Sequence, residues 1–213
     1  MARKPHAREM ARHLLGVVAC VALGFFGVAA GLRIPILADA SYGFHALGHL
    51  LSWFLAPTYA AMMGSLLQVL LPLGLAGYFL LFHRDLLGVS LMLAWAGVSA
   101  GETSVYIADA VSQTIVPGPG HTGHDWAIAL NALGRMGAVD ELAFMVQSLA
   151  IVCILAGMGV AAWGAIKAML ERESMSKADI YLERKPTFGA AGFDEWSRQR
   201  QAETPPPPPA ARL

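Results

Sequence analysis

Thr58–Phe82 reads TYAAMMGSLLQVLLPLGLAGYFLLF, a run without one charged side chain. A helix crossing the hydrocarbon core of a bilayer takes about 20 apolar residues, so this stretch is long enough to span. It sets the fold class as all-α integral membrane protein. Pro72, inside the run, predicts a kink. Three further runs qualify: Leu14–Leu32, Leu86–Ile107 and Leu142–Ile166. The expected architecture is therefore a four-transmembrane-helix bundle. Composition agrees, with 56% hydrophobic residues, 14% charged and a mean hydropathy of +0.52. A soluble domain carries about 25% charged residues, so the shortage here points to a bilayer. Residues 1–13 form a basic N-terminal segment, 14–170 the membrane domain and 171–213 a tail.

Formal net charge is zero, but the charges are segregated. Arg3, Lys4, Arg8 and Arg12 precede the first span, Arg84 lies between spans two and three, and Lys167, Arg172, Lys177, Arg184 and Lys185 follow the fourth. The other two connections hold one basic residue each, Arg33 and Arg135. Basic residues stay in the cytoplasm, so both termini are expected there, in a bacterial inner membrane. Residues 3–40 also carry features of a signal peptide, with Ala38-Asp39-Ala40 as a small-x-small cleavage site. Signal h-regions run to about 7–15 residues, and the apolar run here is nearer a full span.

Both outer connections are long. In the first, GFHALGHLLSWFLAP ends at Pro57 and reads as a short helix, interfacial or re-entrant, with Trp53 suited to headgroup depth. In the second, SQTIVPGPGHTG (112–123) breaks any helix at Pro117–Gly120, and HDWAIALNALGRMG then predicts a second short helix closing at Gly134 or Gly137. Lys167–Lys185 has the composition to extend the fourth helix, whereas the segment from Pro186, ending TPPPPPAARL, reads as a disordered tail. Cys20 and Cys153 lie in apolar runs and read as buried thiols.

The chemistry gathers in the outer connections. His45 and His49 are spaced i, i+4 and share one helix face. HTGHDW adds His121, His124 and Asp125, and span three carries Glu102, Tyr106 and Asp109 at i, i+4, i+7. Imidazoles with carboxylates suit zinc. The expected metal ligands are His45, His49 and His124, with Asp109 or Asp125 as fourth ligand or as an acceptor orienting an imidazole. Glu102 lies within an apolar run, where an ionised side chain needs a partner or a wet cavity; it is the candidate general base of a hydrolase. Gln68 and Gln147, also inside spans, are read as interhelical hydrogen-bonding residues. For the histidines the plain alternatives are interface residues, and for Asp125 a helix cap.

HALGH, at residues 45–49, resembles the H-E-x-x-H of site-2-type membrane zinc proteases, with Ala46 where that family has its glutamate. The similarity covers this pentapeptide alone, no second motif of the N-P-x-P/D-G kind accompanies it, and protease activity is not implied. HxxxH, VYIADA at Val105–Ala110 and GHDW at Gly123–Trp126 together resemble small bacterial multi-pass membrane proteins of uncharacterised function across residues 40–130. That resemblance carries no activity.

Two other classes compete. A b-type heme needs paired histidines at matching depth on two spans; the hydrocarbon sections of the four spans contain none, and His83 stands by itself at a turn. An assembly or binding subunit is supported by small-residue stretches such as GVAAG and GMGVAAWG, which allow close helix packing. The expected cofactor is Zn2+. The expected partners are the lipid bilayer and a membrane-protein partner or second copy, with no nucleic acid.

Overall fold

The computed structural model describes residues 4–115 and 123–184, with 194–195 and 197–199. Six α-helices are present among them. They are α1 (Lys4–Leu23, running on through a π-helical turn, Gly24–Ala29), α2 (Pro35–Leu51), α3 (Pro57–Tyr78, with a π-helical turn at Phe79–His83), α4 (Leu86–Ala108), α5 (Asp125–Ala132) and α6 (Val139–Arg184). No strand occurs among the described residues. The Pro117–Gly120 turn, His121 and most of the Pro-rich tail lie outside them.

Local chemistry sets the helix ends. Pro35 and Pro57 stand at the starts of α2 and α3, where the missing N–H has no helical partner to lose. Asp85 follows Arg84 (φ 52°), and its Oδ1 accepts from the Leu87 N–H at 3.1 Å, capping α4. At the C-terminus of α5, Gly134 adopts φ 63°, and the N–H groups of Gly134 and Arg135 donate to the carbonyls of Asn131 and Leu130. That paired closure is a Schellman motif, which glycine permits at no steric cost.

Four stretches are long and apolar enough to cross a membrane: Ala7–Ala29, Pro57–His83, Leu86–Ala108 and Met136–Ala178. They coincide with the four runs read from the sequence, the first beginning earlier and the fourth extended through Lys167 into α6. Their free faces are also apolar, with Leu14, Val18, Phe25, Leu70, Leu81, Phe144, Leu155 and Trp163 exposed. Helices apolar on all sides belong in lipid or in a protein core. Pro72 is fully buried within α3, which stays helical on either side of it. Cys20 and Cys153 are buried free thiols.

The chain divides into two compact units, Met1–Leu170 and Glu171–Leu213. Within the first, α4 is the central helix, with 56% of its apolar window buried against 17–39% in the other three. Its inward residues are small, including Ala94, Gly97, Ser99, Ala100 and Gly101, so neighbours approach closely. A Cβ on Gly97 would meet the Ala150 carbonyl of α6 at 2.8 Å. In the second unit, Lys177 Nζ pairs with Glu173 Oε1 at 2.8 Å, an exposed i, i+4 contact.

The two short helices occupy places the bundle provides. Serine joins α2 to α4: Ser41 Oγ lies 3.1 Å from Ser99 Oγ and accepts from Trp95 Nε1 at 3.1 Å. Gly48 lets α2 lie against α3, since a Cβ there would run into the Met63 carbonyl and the Gly64 Cα. α5 is pinned to α3 by Trp126 Nε1, which donates to Ser65 Oγ at 3.1 Å. Beneath α5, Trp126, Ala127 and Leu130 pack with Ile107 and Val139 in one buried cluster. α2 begins earlier than the sequence pattern suggests because Pro35 starts it, and it ends before Trp53, which is 79% exposed.

Candidate metal centre

The helix ends bring His45 and His49 of α2 against Asp125 at the start of α5. His45 Nε2 and His49 Nε2 lie 3.0 Å and 3.2 Å from the same oxygen, Asp125 Oδ2, and 3.0 Å from each other. The three atoms form a small triangle, close enough to hold one metal ion. An ion with bonds of about 2.0 Å separates its ligand atoms by roughly 3.3 Å in tetrahedral geometry. On an octahedral face with bonds of about 2.1 Å the separation is about 3.0 Å. The observed edges fall at and between these values.

The opposite sides of the two rings decide what the triangle is. His49 Nδ1 lies 3.0 Å from the Ala60 carbonyl, which only accepts, so the ring proton sits on Nδ1. His45 Nδ1 lies 3.2 Å from Gln68 Oε1, while Gln68 Nε2 donates to Glu102 Oε2 at 3.1 Å. Gln68 therefore presents its carbonyl to His45, whose proton is also on Nδ1. With both rings neutral, each Nε2 carries a lone pair facing the other and a carboxylate oxygen. Three acceptors at this range repel one another unless a cation sits among them, either a proton or a metal ion.

Comparison with protein-family models, with curated proteins and with solved structures finds no match to this chain. The reading of the centre rests on its own geometry.

Gly64 of α3 lies against the triangle. A Cβ built on Gly64 of α3 would lie 2.5 Å from His49 Nε2 and 2.6 Å from His45 Nε2, so glycine keeps open the space beside both nitrogens. His45 and Asp125 side chains are 9% and 8% exposed, and His49 is 24% exposed, so the site opens along His49. The electrostatics follow. The hydrogen bond with Asp125 raises the His49 pKa against the opposing effect of burial. Burial pushes the Asp125 carboxyl up, but contacts with His45 and His49 outweigh it and hold the group well below the usual carboxylate range.

Of the residues expected from sequence, His45, His49 and Asp125 come together; His124 and Asp109 do not join them. His124 Nδ1 accepts from the Ala127 N–H at 3.3 Å and caps α5, which leaves the ring proton on Nε2. That nitrogen makes no hydrogen bond and faces Asp109 Oδ2 at 3.5 Å, a contact better described as electrostatic. Burial lowers the His124 pKa, and the nearby Asp109 and Asp125 carboxylates oppose the shift. Asp109 is committed elsewhere. It accepts from Ser112 Oγ and Thr114 Oγ1, each at 2.6 Å, and from the Thr114 and Ile115 N–H groups, bonds that hold its pKa far below normal. Glu102 reaches the triangle through Gln68.

Tyr106 stacks on His124 with ring centroids 4.1 Å apart. Its hydroxyl accepts from the Asp125 N–H at 3.2 Å and faces Asp125 Oδ2 at 3.5 Å, steadying that side chain. Gly64 had no place in the sequence reading. The signal available was spacing: Ala60, Gly64 and Gln68 run i, i+4, i+8 along one face of α3. That face supplies the carbonyl for His49, the glycine that makes room for both rings, and the amide for His45.

Proposed function

We propose that this chain is a bacterial inner-membrane protein, with both termini in the cytoplasm, that binds one divalent metal ion, zinc, through His45, His49 and Asp125 at the outer end of its bundle. The orientation is supported by the basic residues, which cluster at the termini and at Arg84 and are sparse in the α1–α2 and α4–α6 connections. The observation that carries metal binding is the convergence of three lone pairs at 3.0–3.2 Å, with the ring protons held on the far side by Ala60 and Gln68.

The donor set fits. Two neutral imidazoles and a carboxylate, without thiolate, suit zinc, and three protein ligands leave a position for water or an external ligand. The same set also forms one face of an octahedral iron site. Zinc held this way lowers the pKa of a bound water to near 7, which brings hydrolysis within the chemistry of the centre. The surrounding residues favour binding over turnover. Glu102, suited by type to act as a base, is tied to Gln68, whose amide does not pass a proton, and Asp125 is itself a ligand.

Elemental mass spectrometry on the detergent-purified full chain tests this. Wild type should carry close to one ion per chain, lost in His49→Ala and Asp125→Asn and retained in His124→Ala. Iron in place of zinc would correct the metal and keep the site. No ion after reconstitution with either metal would overturn the reading.

A further inference from the structure

The direction of one amide decides which nitrogen of His45 carries the ring proton, and α4 sets that direction. Glu102 as a carboxylate can only accept hydrogen bonds, and it holds Gln68 Nε2 at 3.1 Å. An amide has its donor at one end and its acceptor at the other. With the NH2 turned to Glu102, the carbonyl must face His45 Nδ1, 3.2 Å away. The ring proton is then required on Nδ1 and the lone pair on Nε2, where the triangle lies. Turned over, the amide would offer its NH2 to Nδ1, move the ring proton to Nε2 and place an N–H where a metal must bind. His49 needs no such device, because its Nδ1 faces the backbone carbonyl of Ala60.

We infer that Glu102 and Gln68 are positioning residues for the metal centre: the carboxylate orients the amide, the amide fixes the tautomer of His45, and the tautomer exposes the ligand lone pair. This rests on the metal-binding reading above. It gives Glu102 a role other than the general base expected from sequence, and it accounts for a carboxylate within an apolar span. The three residues come from α2, α3 and α4, so the ligand lone pair depends on the register of three helices at once.

The test uses the full chain in detergent with two readouts: zinc affinity by chelator competition, and the 15N shifts of the histidine rings in metal-free protein, which report the tautomer. Glu102→Gln replaces a pure acceptor with a group that can donate or accept, so the Gln68 amide loses its fixed direction. Zinc affinity should fall by roughly 10–100-fold, the usual cost of losing a group that orients a ligand, with helix content unchanged by circular dichroism. In spectra recorded at pH 8.5, His45 should pass from a single Nδ1–H form to a mixture. The exchange variant Gln68→Glu with Glu102→Gln again offers a carboxylate to His45 Nδ1–H and an amide donor to that carboxylate. It should recover most of the lost affinity, which a merely structural role would not predict. Wild-type affinity in Glu102→Gln, or an exchange variant no better than that single change, overturns the inference. If wild type binds no metal, the metal-binding reading fails by itself, and an unchanged His45 tautomer in Glu102→Gln would then sink the inference separately.

Discussion

His45 Nε2 and His49 Nε2 lie 3.0 Å apart, yet neither can donate to the other while both rings keep their protons on Nδ1. The contact therefore requires a cation. Without a metal ion that cation is a proton, and the hydrogen bond with Asp125 raises the His49 pKa in its favour. A metal ion bound as proposed would compete with that proton for one place, which fixes the sign of two pH effects.

For metal-free protein, a group whose pKa is raised by folding stabilises fully below its unfolded value, about 6.5 for histidine. That stability is lost as pH rises through the folded value. The lowered pKa of His124 acts in the opposite sense, so on going from pH 6 to pH 8.5 the unfolding temperature of metal-free wild type should fall relative to that of His49→Ala. Zinc must displace the proton, so the rise in unfolding temperature on adding zinc should grow over the same interval. Thermal scans at three pH values with and without zinc check this. Parallel curves would contradict competition for a shared place.

Gly64→Ala should weaken zinc binding by at least about tenfold, as losses around a ligand set commonly do. The added methyl would stand 2.5 Å and 2.6 Å from the two ligand nitrogens, so the rings must move or the ion must give way. Alanine is the better helix former by about 1 kcal/mol, so weakened binding would not reflect a poorer α3. Gly74→Ala, on the same helix with nothing within 4 Å of the new Cβ, is the control and should bind zinc as wild type does.

His124→Ala should leave metal content unchanged and cost about 1 kcal/mol of stability, the typical loss for an N-cap. Its Nδ1 satisfies the Ala127 N–H at the start of α5, the helix whose first residue is Asp125. Thermal unfolding with metal analysis on the same sample separates capping from ligation, because a ligand would show in both measurements.

The long helices were legible in the sequence because length and apolarity form a simple code, and uncharged runs such as Thr58–Phe82 appear again as α3 and its π-helical turn. The pairing of His45 with His49 was legible for the same kind of reason, since an i, i+4 spacing fixes a face. Asp125 was named as their partner only beside His124 and Asp109, with nothing to choose among the three. Asp125 and His124 are neighbours with similar chemistry, and which one turns to the triangle depends on how α5 starts: the cap takes His124 Nδ1 and frees Asp125. Asp109 looked equally available, but its oxygens close the turn that follows α4. Gly64 carries no chemistry of its own, and only the approach of α2 gives it a role.

Asp109 Oδ1 and Oδ2 accept from the Thr114 and Ile115 N–H groups at 3.0 Å and 2.8 Å, and the Ser112 and Thr114 hydroxyls donate to the same side chain. These bonds depress its pKa, so the stabilisation is present above the unfolded value, about 3.9, and is lost only as pH falls through the lower folded value. The Thr114 and Ile115 amides should stay protected from hydrogen exchange at pH 4, where an ordinary aspartate is already half protonated. Asp109→Asn puts an NH2 where one of the accepting oxygens stood and should speed exchange at one or both amides, while zinc content stays at the wild-type level. Loss of zinc in that variant would return Asp109 to the ligand set.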